Sequence, residues 1–90
     1  MGDEENDTLL EFPCQFPIKM MGRESESFRS TAIALVEAHT GKLDDSAIRS
    51  APSSKGNFLS ITVTIVAQSQ EQLDNIYRAL SRHEEILVAL

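Results

Sequence analysis

The sequence predicts a two-layer α+β sandwich: a four-stranded antiparallel sheet with two helices on one face. Three observations predict it. Leu59, Ile61, Val63 and Ile65 alternate with Ser60, Thr62 and Thr64, so a central strand has one apolar face and one hydroxyl-lined face. Phe28, Ala32, Leu35 and Val36 recur at offsets 0, 4, 7 and 8, and Leu73, Ile76, Tyr77 and Leu80 at 0, 3, 4 and 7, each set marking one helical stripe. Two such helices can bury their stripes only against the single apolar face of the sheet.

The elements follow in order. Phe16, Ile18 and Met20 alternate with Pro17, Lys19 and Met21, a first strand that Gly22 is expected to break. A helix is predicted over 24–39, with Glu24 and Glu26 in its first turn and His39 and then Gly41 at its end, residues that suit the helix dipole and a left-handed cap. Lys42 to Asp45 turn the chain. Ser46 to Ala51 read as a weak, polar strand, and Pro52 places it at a sheet edge. Ser53, Ser54, Lys55, Gly56 and Asn57 form a loop into the central strand. The second helix opens at a capping box, Ser69 with Gln72, and ends near Arg82. Ile86, Val88 and Leu90 then alternate as a closing strand. With right-handed crossovers the order β-α-β-β-α-β gives a ferredoxin-like arrangement.

Composition bounds the function. Ninety residues with 41% hydrophobic positions suit one domain with a thin core. The net charge of −6 is uneven: Asp3, Glu4, Glu5, Asp7 and Glu11 supply five acids, and the rest has nine acids against eight bases. Residues 1–8 are therefore expected to be an acidic, flexible tail and 9–90 the folded domain. The nearly neutral body lacks the basic stripe of a nucleic-acid binder. No apolar run approaches the ~20 residues of a membrane span. A single cysteine and an N-terminus without a basic and then apolar region predict a cytoplasmic location.

Leu9-Leu10-Glu11-Phe12-Pro13, Met21-Gly22, and above all Pro52-Ser53-Ser54-Lys55-Gly56-Asn57 leading into Ser60-Ile61-Thr62-Val63-Thr64-Ile65 carry a family resemblance. Over about Thr8 to Leu90 the chain resembles the YbeD-like family of small bacterial proteins. The resemblance implies a βαββαβ fold similar to the ACT regulatory domains of amino-acid metabolism. It also implies a setting near lipoyl transfer, and no assigned activity.

Two segments stand out as candidate ligand or partner sites. Gly22 and Arg23 join the first strand to the first helix, where ACT domains bind effectors, and a helix N-terminus with an arginine suits an anion. The plain alternative is a turn glycine. Ser53, Ser54, Lys55, Gly56 and Asn57 offer a cation, hydroxyls and flexible backbone for a phosphate or a partner carboxylate, against the plain alternative of a solvated connection. Neither Gly41-Lys42 nor Lys55-Gly56 has the spacing of a phosphate-binding Walker loop. The RNA-recognition motif shares the topology but needs stacking aromatics, and the exposed strand face offers only Phe58 among Ser60, Thr62 and Thr64. Cys14 lacks an activating base nearby in sequence, and His39 and His83 lack metal-ligand spacing. No catalytic residue, metal or cofactor is predicted.

Three functional classes follow. The leading one is a non-enzymatic regulatory or adaptor domain acting through protein contacts at its sheet face or edge, in lipoate-related or amino-acid metabolism, with homodimerisation expected. The alternative is a small-anion or amino-acid effector domain using Gly22, Arg23 and Lys55. The third is an acylphosphatase-like hydrolase, for which Arg23 is the candidate although the loop pattern of those enzymes is missing.

Overall fold

The computed structural model describes residues 10–53 and 55–90; the expected tail at 1–8, the domain start at 9 and Ser54 lie outside them. Strand β1 (Cys14–Arg23) leads to helix α1 (Glu26–Thr40), a short 3-10 turn (Asp45–Ala47) and strand β2 (Ile48–Pro52). Strand β3 (Phe58–Ala67), helix α2 (Gln70–Arg82) and strand β4 (Val88–Ala89) complete the chain. The sheet order is β2-β3-β1-β4, with every neighbouring pair antiparallel. Each strand-helix-strand unit thus skips over one strand, the split arrangement of a ferredoxin-like fold.

The core is built from the residues whose spacing announced it. Ile18 and Met20 from β1, Leu59, Ile61, Val63 and Ile65 from β3, Phe28, Ala32 and Val36 from α1, and Leu73, Ile76 and Leu80 from α2 form one buried cluster. Val63 sits opposite Ile18 on one side and Ile48 on the other, fully buried. Val63→Ala is therefore expected to lower stability by roughly 2 kcal/mol through lost transfer energy and an unfilled cavity. An unchanged urea midpoint would put Val63 on the wrong face.

Both helices begin at side-chain caps. Ser25 Oγ accepts the Phe28 N–H at 3.0 Å, which moves the start of α1 to Glu26. Ser69 Oγ accepts the Gln72 N–H at 3.1 Å. The Gln72 side chain does not close the expected box on the cap residue. It accepts the Gln68 N–H at 2.7 Å and donates to the His39 carbonyl at 2.9 Å, tying the start of α2 to the end of α1. Gly41 has φ +85° with ψ 179°, a glycine-only extended conformation in place of the expected left-handed cap. Ser46 and Ala47 belong to the 3-10 turn, so the edge strand is shorter than predicted; the Asp44 side chain caps that turn by accepting the Ser46 N–H.

Two expectations fail. Gly22 does not break β1: it is buried within the strand, paired with Leu59. The closing strand does not alternate. Ile86 is buried, but Val88 and Leu90 are 42% and 68% exposed. Val88 is the register partner of Met21 while the Leu87 N–H also donates to the Met21 carbonyl, so two residues oppose one. That is a β-bulge, and its extra residue inverts the parity of everything after it. Ala89 packs inward and Val88 and Leu90 point away from the core.

Candidate functional site

The fold brings the two predicted segments to one end of the sheet. Arg23 and Phe58 are cross-strand partners, and the Arg23 guanidinium lies 5.6 Å from the Phe58 ring centroid, within cation–π range. The Glu24 N–H donates to the Asn57 carbonyl at 3.1 Å. Most of the loop is accounted for by hairpin geometry. Ser53 exchanges backbone and side-chain bonds with Phe58, its N–H reaching Phe58 O at 2.8 Å and its Oγ accepting the Phe58 N–H at 3.2 Å. Gly56 donates to Ser53 O at 3.0 Å with φ +74°, a turn position that favours glycine. Lys55 is exposed at the tip. Lys55→Ala should change folding stability by less than ~0.5 kcal/mol, because solvated surface charges contribute little. A larger loss on chemical denaturation would mean that Lys55 is structurally paired.

Gly22 is explained by close packing. A Cβ placed on it would lie 2.5 Å from Phe28 Cε1 and 2.6 Å from the Glu85 carbonyl oxygen, so glycine is needed for the approach of α1 and the α2–β4 connection to β1. Beside it is a cleft of about 480 Å³ whose lining includes Arg23 together with Glu24, Glu84 and Glu85. Three carboxylates share that cleft with one guanidinium, so an anion held inside it would sit among like charges, whereas the Arg23 guanidinium itself lies over the Phe58 ring at the uncovered side of the sheet. Glu85 is also engaged, accepting from Ser27 Oγ at 3.0 Å and Thr31 Oγ1 at 3.1 Å.

The uncovered face of the sheet has the opposite character. Register and alternation place Gln15, Pro17, Lys19, Met21 and Arg23 of β1 there, with Phe58, Ser60, Thr62, Thr64 and Val66 of β3 beside them. Arg49 and Ala51 extend the face on β2, and Val88 on β4. These strand positions hold three cations and no Asp or Glu, in a chain of net −6. Lys19 and Arg49 flank Thr62 from its two sides in register. They line a shallow hollow of about 290 Å³ with Ser50, Ala51, Ser60 and Thr62. Sequence reasoning did not single out Lys19 or Arg49, which are 30 residues apart and become neighbours of Thr62 only through the register of three strands.

A third hollow, about 570 Å³, lies between α2 and β4 and is lined in part by Tyr77, Ile86 and Leu87. The Tyr77 hydroxyl donates to the Leu90 carbonyl at 2.8 Å, and burial pushes its phenol above the usual value. The Asp44 carboxyl is held low by the Ser46 hydroxyl and then by the Ser46 N–H. Each shift has a local structural cause. Among the described residues no three of His, Cys, Asp and Glu come together as a metal site, and no helix is long and apolar enough to cross a membrane.

Comparison with known proteins places these features in context. Residues 7–90 match the family model described as "Protein of unknown function (DUF493)". A UPF0250 protein of Paraburkholderia phytofirmans is 46% identical over 85 residues, covering 94% of this chain and 96% of that protein. One from Neisseria gonorrhoeae is 45% identical over an alignment of 91 positions covering both chains in full. Among solved structures, the solution structure of protein HP0495 from H. pylori superposes with a TM-score of 0.71 at 15% identity, covering 93% of this chain and 88% of that one. At that identity the likeness supports the fold, and the expected ferredoxin-like sandwich is found.

Proposed function

The chain belongs to the DUF493 family, and we propose that it is a non-catalytic binding domain, an adaptor or regulator whose working surface is the uncovered face of its sheet. The observation that carries this reading is charge: the described strand positions of that face present Lys19, Arg23 and Arg49 and no carboxylate side chain. A solvated face with no task would be expected to mix both signs. Exposed Val66 and Val88 add apolar contact area, the composition of a protein-binding patch. Homodimerisation through this face would set two surfaces of like charge together about a two-fold axis, so the partner in this reading is a different protein. The family resemblance adds a setting in lipoate-related or amino-acid metabolism.

The test is affinity capture from the native cell with the full chain and two bulky variants. Thr64→Tyr lies on the uncovered face and suits a strand, whereas Ala34→Tyr lies on the exposed side of α1. The expected result is a protein recovered by wild type and Ala34→Tyr and lost with Thr64→Tyr. Equal recovery by all three would refute the reading.

A second reading, small-anion binding, is favoured by the hollow between Lys19 and Arg49 with its Ser60 and Thr62 hydroxyls. It moves the predicted anion site from Gly22 and Arg23 to the middle of the sheet. A ligand there would stabilise the native state by mass action. A thermal-shift screen of phosphate, dicarboxylates, amino acids and lipoyl compounds that leaves the melting temperature unmoved would dismiss it.

A further inference from the structure

We infer that the partner's contact segment is an extended acidic peptide whose carboxylates seat on Lys19, Arg49 and Arg23; the inference rests on the uncovered face being the working surface. The cations form a defined pattern. Lys19 and Arg49 stand on either side of Thr62, about 10 Å apart at the usual strand spacing, and Arg23 lies four residues from Lys19 along β1, about 13 Å away. An extended peptide rises ~3.4 Å per residue and returns to the same face every second residue. Carboxylates four residues apart therefore match Lys19 and Arg23, and the hydroxyls of Thr62, between Lys19 and Arg49, and of Ser60, in the same hollow, can donate to a seated carboxylate. Val66 and Val88, exposed at 53% and 42%, flank the cations and suit apolar residues between the acids.

Two other occupants fit less well. RNA needs aromatic rings on which to stack bases, and Phe58 on this face already stacks with Arg23. A second copy would oppose cations to cations. The acids of the described strands and helices lie off this face, so its local field differs in sign from the chain's net charge.

The experiment is fluorescence anisotropy with the full chain at low salt and a labelled dodecapeptide of threonine and valine carrying glutamate at positions 2, 6 and 10. The same peptide with glutamines and a twelve-nucleotide oligouridine serve as comparison probes. The expected results are saturable binding of the glutamate peptide and at least about tenfold weaker binding of the glutamine peptide, the scale of one charge-assisted contact. Lys19→Glu with Arg49→Glu should weaken the glutamate peptide at least about tenfold, while Arg78→Glu on α2 leaves it unchanged within about twofold, and raised salt should weaken wild-type binding. Melting curves of each variant confirm that it is folded. Absence of glutamate-peptide binding, or equal affinity for wild type and the Lys19/Arg49 double variant, overturns the inference. Tighter, equally charge-sensitive binding of oligouridine overturns it in favour of nucleic acid. Concentration-dependent dimerisation abolished by the double variant overturns it in favour of a second copy. A cellular partner lost with Thr64→Tyr but retained by Lys19→Glu/Arg49→Glu would leave the working surface in place and remove only the acidic peptide.

Discussion

Phe28→Ala is expected to destabilise the domain by about 3 to 5 kcal/mol, as large-to-small changes at fully buried aromatic positions do. Phe28 is 1% exposed and is the largest fully buried side chain among the described residues. Its ring lies over the Gly22 backbone. Removing it would therefore open a hole above a residue with no side chain to move into the space. The surrounding β1 backbone is held on both sides by β3 and β4, which limits its collapse. Urea unfolding should show a strongly lowered midpoint with little change in slope. A loss below ~1 kcal/mol would mean that α1 settles onto β1 without its aromatic anchor.

Gly22→Ala should cost roughly 3 kcal/mol, at the upper end of the range for overpacking a dense core. The added methyl would meet the Phe28 ring at 2.5 Å and the Glu85 carbonyl oxygen at 2.6 Å, and one of these is backbone that cannot rotate away. The mechanism has a signature that a turn glycine would lack. Phe28→Leu should partly relieve the clash, so Gly22→Ala combined with Phe28→Leu should be less destabilised than the sum of the single variants. Strict additivity in denaturation measurements would argue that Gly22 is needed for another reason.

The parts of the fold that depend on local pattern were legible in the sequence. The β3 alternation, the two helical stripes, the Ser69 cap and the edge position of the Pro52 strand all reflect forces acting within about one turn or one strand. The role of Gly22 is not legible locally because its cause is remote: Phe28 and Glu85 approach it from two other segments, and nothing adjacent in sequence distinguishes such a glycine from one in a turn. The bulge at Leu87 and Val88 was hidden for a related reason, since Ile86, Val88 and Leu90 look like a perfect alternation until one extra residue is placed against Met21. The candidate site was the least legible. Its cations are unremarkable singly, and only the pairing of Lys19 and Arg49 with Thr62 makes them a group. The loop motif that looked most functional, Ser53 to Asn57, is explained at Ser53, Gly56 and Asn57 by hydrogen bonds of the hairpin and its junction with α1.

The claim that the uncovered face is the working surface is tested most directly by site-specific photo-crosslinking in the native cell, with a benzophenone side chain at position 64 on β3, 34 on α1 or 78 on α2. Thr64, Ala34 and Arg78 are all exposed, and each replacement leaves the core untouched. The account predicts a discrete protein adduct from position 64, lost when Lys19→Glu and Arg49→Glu are added, with no matching adduct from positions 34 or 78. Adducts from 34 or 78 with none from 64 would contradict it and assign binding to the helical layer.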